Sequence, residues 1–148
     1  MKALLFAMSL MLLPDITPAQ TVVIRNDVGG NVNEYRGRRA KLAQAEAVRI
    51  EGRCFSACAI FTTLPNACVM PRAQIGFHGT LPKSGIEAVD YWLDMRLGDY
   101  FRGEVKRRYI AQWRHLGGVN QMHVLSGRAL NALDPQVQLC KGKPRPVP

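Results

Sequence analysis

Ser56, His78 and the Gly29-Gly30 pair are the residues whose types and order suit acyl-transfer chemistry. They would supply a hydroxyl nucleophile, an imidazole base and backbone amides free to hold an oxyanion. Ser56 follows a β-like run, Ala47 to Glu51, and a turn containing Gly52, and it opens a short apolar segment read as a helix. Where a strand hands over to a helix, backbone N–H groups are left free and the helix dipole presents its positive end. The same serine would equally serve as a helix N-cap. His78 closes a second β-like run, Gln74 to His78, where a histidine also fits a structural hydrogen-bonding role. A Gly-Gly ahead of a helix is also a plain turn or an anion site. None of the three is specific alone.

The elements that must position them follow from pattern. Thr21 to Arg25 (TVVIR) is a β-branched run that fits a buried parallel strand. Asn26 to Gly30 is a turn, and Val32, Tyr35, Leu42 and Ala43 recur at helical spacing, which predicts an amphipathic helix over 31–43. Ala47 to Glu51 is the next strand, so a βαβ unit with a right-handed crossover is expected. Ala67 to Pro71 and Gln74 to His78 are two further strands. The segment 79–85 (GTLPKSG) has turn chemistry and reads as a mobile loop. Beyond it Ile86, Val89, Leu93, Leu97, Phe101, Val105, Tyr109, Trp113 and Leu116 recur every three or four residues. They predict one long helix over 86–116, bent at Gly98 or Gly103 and stopped by Gly117-Gly118. Ser126 to Leu133 fits a last short helix capped by Ser126.

At 148 residues and 47% apolar, the chain has room for one ordinary core and is not disordered in composition. Lys2, the apolar run Ala3 to Leu13 and the small residues at Thr17-Pro18-Ala19 read as an export signal over 1–19, too short for a stable membrane span. One folded domain over 20–140 and a frayed Pro/Lys tail over 141–148 complete the plan. A buried helix over 3–13 is the alternative. Cleavage after Ala19 removes Lys2 and Asp15 together, so the mature chain keeps its net charge of +9. Cys54, Cys58, Cys68 and Cys140 fit an oxidising compartment, periplasmic or secreted, with two disulfides in any of three pairings. The rival, a metal site built on Cys54 and Cys58 with His78 or His115, lacks the spacing of structural zinc sites, so no metal is expected. The basic residues are scattered along helices, which argues for solvated faces rather than a nucleic-acid surface.

Taken together, residues 21–80 resemble the superfamily of the Clp protease proteolytic subunit and the crotonases, and within it small exported proteins with similarly spaced cysteines. Ile24 to Gly30 is similar to the strand and N-S-P-G-G turn of Clp proteases. Gly52 to Cys58 is similar to their G-x-x-x-S-x-G nucleophile pattern, Val69-Met70-Pro71 to their following strand end, and Gln74 to His78 to the segment carrying their histidine. The resemblance implies an α/β fold: a Clp-protease/crotonase-like ββα spiral core with a short parallel sheet and a long helix after the histidine strand. It implies Ser56 as nucleophile, His78 as base, the amides of Gly30 and Ala57 as the oxyanion hole, and a homo-oligomer formed through residues 86–116. Nothing is similar to a coenzyme A site, and no cofactor is expected.

Three departures stand beside it. Between Glu104 and Asp134 there is no Asp or Glu, where Clp proteases carry their third catalytic residue. Asn120, Asp134 folded back, or more remotely His123 are the stand-ins, and an Asn in place of the triad Asp lowers turnover about 10⁴-fold. The first strand and helix of the protease subunit have no counterpart, so the sheet edge must be covered by a partner, by the C-terminal segment held through Cys140, or by an uncleaved N-terminal helix. Cys54 and Cys58 flank Ser56 closely, so a disulfide from either would fix the serine turn. Two functions from different classes follow: a serine hydrolase of peptide or ester bonds, or a catalytically silent Clp-like module for binding or assembly.

Overall fold

Six strands form one curled, mixed sheet: β1 (Thr21–Asp27), β2 (Ala47–Phe55), β3 (Ala67–Val69), β4 (Gln74–Phe77), β5 (His123–Ser126) and β6 (Gln138–Leu139). The structure is a computed structural model that describes residues 20–118 and 120–142. The expected export signal (1–19) and most of the tail (143–148) lie outside the described residues. The path β5-β4-β2-β3-β6 runs along one side of β2, while β1 pairs in parallel with its other edge. The long strand β2 serves two neighbours in succession. Val48 to Ile50 pair with β3 and Arg53 to Phe55 with β4, both in parallel. The sheet therefore turns a corner along β2, and the βαβ order expected from the sequence is present.

Local chemistry explains the corner. The β1/β2 register shifts between Ile24 and Asn26. At Gly52 a methyl group would lie 2.0 Å from the Arg25 carbonyl oxygen, so only glycine fits against this bulge. Because the strand continues past the bulge, β2 runs four residues beyond its expected end at Glu51 and delivers Ser56 from its tip.

Helix α1 (Val32–Leu42) starts at Asn31, whose side chain accepts hydrogen bonds from the N–H groups of Asn33 (2.9 Å) and Glu34 (3.4 Å). Tyr35 is its buried anchor, stacked 5.5 Å from Phe61. Phe61 belongs to the segment Ser56–Thr63, which is a 3₁₀ helix rather than an α-helix and is buried from Ala57 onward. Arg39 closes this segment by donating to the carbonyl oxygens of Ile60 (3.1 Å) and Thr63 (3.2 Å).

The single long helix expected over 86–116 is not formed. The chain instead makes α2 (Glu87–Gly98), α3 (Gly103–Ala111) and a 3₁₀ turn, Trp113–His115. The break carries Phe101 into the core, where its ring meets Phe77 at 5.3 Å and Tyr109 at 5.0 Å. Arg102 is extended there and pairs with buried Asp134 at 2.9 Å. The apolar stripe is accordingly divided. Leu97, Phe101, Val105, Tyr109 and Trp113 are core, whereas Ile86 and Val89 are exposed.

Antiparallel strand β5, not expected from the sequence, pairs Gly76 with Val124 and Phe77 with His123, and places the His123 ring 4.4 Å from Trp113. Helix α4 (Gly127–Leu133) is capped as expected by Ser126, whose hydroxyl accepts from the Ala129 N–H at 3.1 Å. β6 then lies parallel to β3, and Cys140 donates its N–H to Val69 at 3.0 Å. The Cys68–Cys140 disulfide secures this addition, so the C-terminal segment covers the β3 edge. The second disulfide joins Cys54 to Cys58, which removes both from any metal-ligand set. Among the described residues no helix is long and apolar enough to cross a membrane.

Candidate active site

The carboxyl ends of β1, β2 and β4 lie together. Asp27 registers with Cys54, and Phe55 with Gly76. The turns that leave these three neighbouring strands carry Gly29-Gly30, Ser56 and His78 respectively, so a parallel sheet gathers all three at one end. Gly29, Gly30, Ser56 and His78 line one cleft of about 590 Å³, completed by Asn31, Thr80, Leu81, Arg96 and neighbours. That size suits a small organic substrate or a few residues of peptide.

Ser56 is held at φ 56°, a conformation that costs a non-glycine residue about 1–3 kcal/mol and recurs where a nucleophile is presented on a tight turn. It does not act as a helix cap: the capping position is Phe55, and no side-chain hydrogen bond closes this helix start. The Cys54–Cys58 disulfide brackets the serine, with its Cα atoms 5.2 Å apart and both cysteines fully buried.

The Gly29 turn is pressed against the serine turn. A methyl group on Gly29 would lie 2.6 Å from Phe55 O, 2.7 Å from Ser56 Cβ and 3.1 Å from Ala57 N. Asp27 fixes this turn by accepting from the Gly29 N–H at 3.0 Å and from the Tyr35 hydroxyl, while Arg38 pairs with its second oxygen at 3.0 Å. Gly30 borders the cleft, whereas Ala57 is fully buried beneath the serine.

His78 is 8% exposed. Its Nδ1 lies 2.5 Å from the Gly79 carbonyl oxygen. A carbonyl only accepts, so Nδ1 carries the proton and Nε2 keeps a free lone pair. Burial lowers the His78 pKa from its ordinary value, with nearby Lys83 acting in the same direction, against the Gly79 hydrogen bond and Asp94. The ring is thus neutral at neutral pH, as a general base requires. No hydrogen bond joins Ser56 to His78 among the described residues; in ligand-free sites such contacts are often loose.

None of the three stand-ins for a third catalytic residue meets the imidazole among the described hydrogen bonds. Asn120 is exposed and does not line the cleft. Asp134 is occupied by Arg102 and by the Gln136 N–H at 3.1 Å, and His123 stacks on Trp113. The Gly79 carbonyl takes the Nδ1 position instead.

One acidic residue near the histidine escaped the sequence reading. Asp94 on α2 is fully buried and accepts from the Thr80 N–H and hydroxyl, both at 2.6 Å, and from Lys83 at 2.9 Å. Ser84 is tied in the same way to Asp90 at 2.7 Å. The 79–85 loop, expected to be mobile, is therefore fastened to α2 directly after the histidine. The available signal was the pair Asp90 and Asp94 at i, i+4, which shares one helix face in a strongly cationic chain.

No protein-family model matches the sequence, and no curated protein matches it either.

Proposed function

We propose that this chain is an exported serine hydrolase that cleaves peptide or ester bonds, as its resemblance to the Clp protease and crotonase superfamily implies. Ser56 Oγ attacks the acyl carbon while His78 Nε2 takes its proton. The amides of Gly30 and Ala57 receive the carbonyl oxygen as it gains negative charge, a contribution of about 10²–10³ in rate per donor. Collapse of the tetrahedral adduct breaks the scissile bond, and His78 returns the proton to the departing amine or alcohol. Water, deprotonated by the same imidazole, then releases the acyl group and restores Ser56.

What carries this reading is the shared cleft of Ser56, His78 and Gly30 at the ends of three adjacent parallel strands. The Gly79 carbonyl performs one of the tasks of a triad carboxylate, holding the tautomer, but offers no full charge to the imidazolium. Turnover well below that of a complete triad is expected. Two disulfides suit an oxidising compartment outside the cytoplasm. Subunit pairing, which the resemblance also implies, would fall on α2, where Ile86, Val89 and Trp92 are exposed.

The second reading, a silent binding module, draws on the lack of a carboxylate at Nδ1 and of a direct Ser56–His78 bond among the described residues. Labelling of the purified protein with a fluorophosphonate separates the two. Modification at Ser56 that disappears in Ser56→Ala and drops in His78→Ala supports the hydrolase. A folded wild-type protein that stays unlabelled supports the module.

A further inference from the structure

Among the described residues that line the cleft, Arg96 is the one charged side chain and none is a carboxylate. Its guanidinium donates to the neutral Oδ1 of Asn33 and lies 5.5 Å from the centre of the Trp92 ring. Several nearby basic side chains are neutralised: Lys83 meets Asp94, Arg102 meets Asp134, and Arg114 meets Glu87, whereas Arg36 and Arg39 on α1 donate to the Tyr100 hydroxyl and to the carbonyls of Ile60 and Thr63 and do not line the cleft. Arg96 meets no carboxylate among the described residues. Asp99 borders the neighbouring hollow on the other side of Arg96, but its carboxylate is taken by Lys106 at 3.0 Å.

A guanidinium has five N–H donors in a rigid fork, and the single hydrogen bond to Asn33 leaves the rest for a ligand. That bond also fixes where the fork sits, because Asn33 lies in the first turn of α1 and borders the same cleft. Asn31, Val32 and Asn33 bring the first turn of α1 to this wall, where the Asn31 side chain already caps the N–H groups of Asn33 and Glu34, so the charge offered to a ligand is that of Arg96. The same lining also includes apolar Val28, Leu81 and Leu97, which suit the hydrocarbon part of a ligand.

We propose that Arg96 determines specificity by binding a carboxylate of the substrate, so that the cleft selects anionic acyl compounds in which a short apolar chain separates a free carboxylate from the scissile carbonyl. This rests on the hydrolase reading of Ser56, although the anion site itself does not need catalysis. A carboxylate bound by Arg96 gains a charge-assisted, bidentate contact that the neutral ester lacks, about ten- to a hundredfold in affinity.

The experiment has a binding arm and a turnover arm. In the binding arm, Ser56→Ala protein is titrated with monomethyl adipate and with dimethyl adipate, followed by amide chemical shifts. Monomethyl adipate is expected to bind at least about tenfold more tightly, with shifts in the first turn of α1. Arg96→Gln in the same background, which keeps a donor for Asn33, should abolish the preference, and Arg96→Lys should keep part of it. Equal affinity for the two esters, no binding of either, or a preference that survives Arg96→Gln in a folded protein overturns the proposal. In the turnover arm, wild-type protein is given mono-p-nitrophenyl adipate and its methyl-capped counterpart. A binding preference without hydrolysis of either compound upholds Arg96 as an anion site and removes the hydrolase reading. Hydrolysis of both at one rate with equal affinity does the reverse.

Discussion

Substituting Gly29 by alanine tests whether the glycine turn and the serine turn are one mechanical unit. Gly29 sits at φ +84°, and its added methyl would meet Phe55 O at 2.6 Å, Ser56 Cβ at 2.7 Å and Ala57 N at 3.1 Å. Two of these neighbours are backbone atoms and the third is the first side-chain atom of the serine, so none can rotate aside. The left-handed backbone costs an alanine about 1–2 kcal/mol, and forcing the turns apart adds about 1–3 kcal/mol. A loss of about 2–5 kcal/mol in urea unfolding is expected, seen as a lower midpoint with an unchanged slope. Whatever part of the clash is relieved by movement displaces Ser56, and a shift of about 1 Å lowers fluorophosphonate labelling about a hundredfold. Gly30→Ala is the internal control. Its φ is not positive and its methyl would meet only Tyr35 Cε2, at 3.4 Å, so stability should change by less than about 1 kcal/mol. Equal midpoints for the two variants, or a Gly29→Ala protein as stable as wild type, would refute the coupling.

Two further outcomes are expected. The rate of Ser56 labelling should be flat above pH 6.5 and fall in acid. Burial holds the His78 pKa below its ordinary value of 6.5, so only at lower pH does the base become protonated. The stability contribution has the same sign: the unfolded chain binds more protons between the two pKa values, so stability is complete above 6.5 and declines as pH falls through the folded pKa. A labelling profile that still climbs through pH 8 would contradict this. The disulfides should separate by role. Removing Cys68–Cys140, which closes 72 residues, costs about 4 kcal/mol, whereas removing Cys54–Cys58, separated by 4, costs about 2 kcal/mol yet slows Ser56 labelling more. Chemical denaturation and labelling of the two double Cys→Ala variants would decide it, and an opposite order in both assays would overturn the assignment.

Much of the site was legible because it rests on local signals. The strands starting at Thr21, Ala47 and Gln74 and the helix opened by Asn31 each depend on residues close in sequence, and each starts within a residue of its expected place, although β1 and β2 run on past Arg25 and Glu51 and β4 ends one residue before the histidine. The split of 86–116 was legible only as a bend: Gly98 and Gly103, the expected bend points, are where α2 ends and α3 begins, but an apolar stripe continuing at helical spacing does not show that the helix breaks between them. The break is set by where Phe101 packs, against Phe77 from β4 and Tyr109 from α3. β5 was missed because His123–Ser126 is only four residues long, and its pairing to β4 is its main support. Asp94 was overlooked as a partner of the histidine loop because a carboxylate on a predicted helix looks like solvated surface until the loop folds back over it.

By itself the sequence determined the order of strands and helices from Thr21 to Phe77, the presence of four cysteines able to form two disulfides, and the candidacy of Ser56, His78 and Gly29-Gly30. All of these follow from nearest-neighbour backbone preferences and from side-chain chemistry. Tertiary structure alone decided that the three meet in one cleft, that a backbone carbonyl holds the imidazole, that Cys54 pairs with Cys58 and Cys68 with Cys140, and that Arg96 borders the site without a carboxylate partner among the described residues. These depend on strand register and on which residues, tens of positions apart, pack together, and such distances are not encoded in any local window.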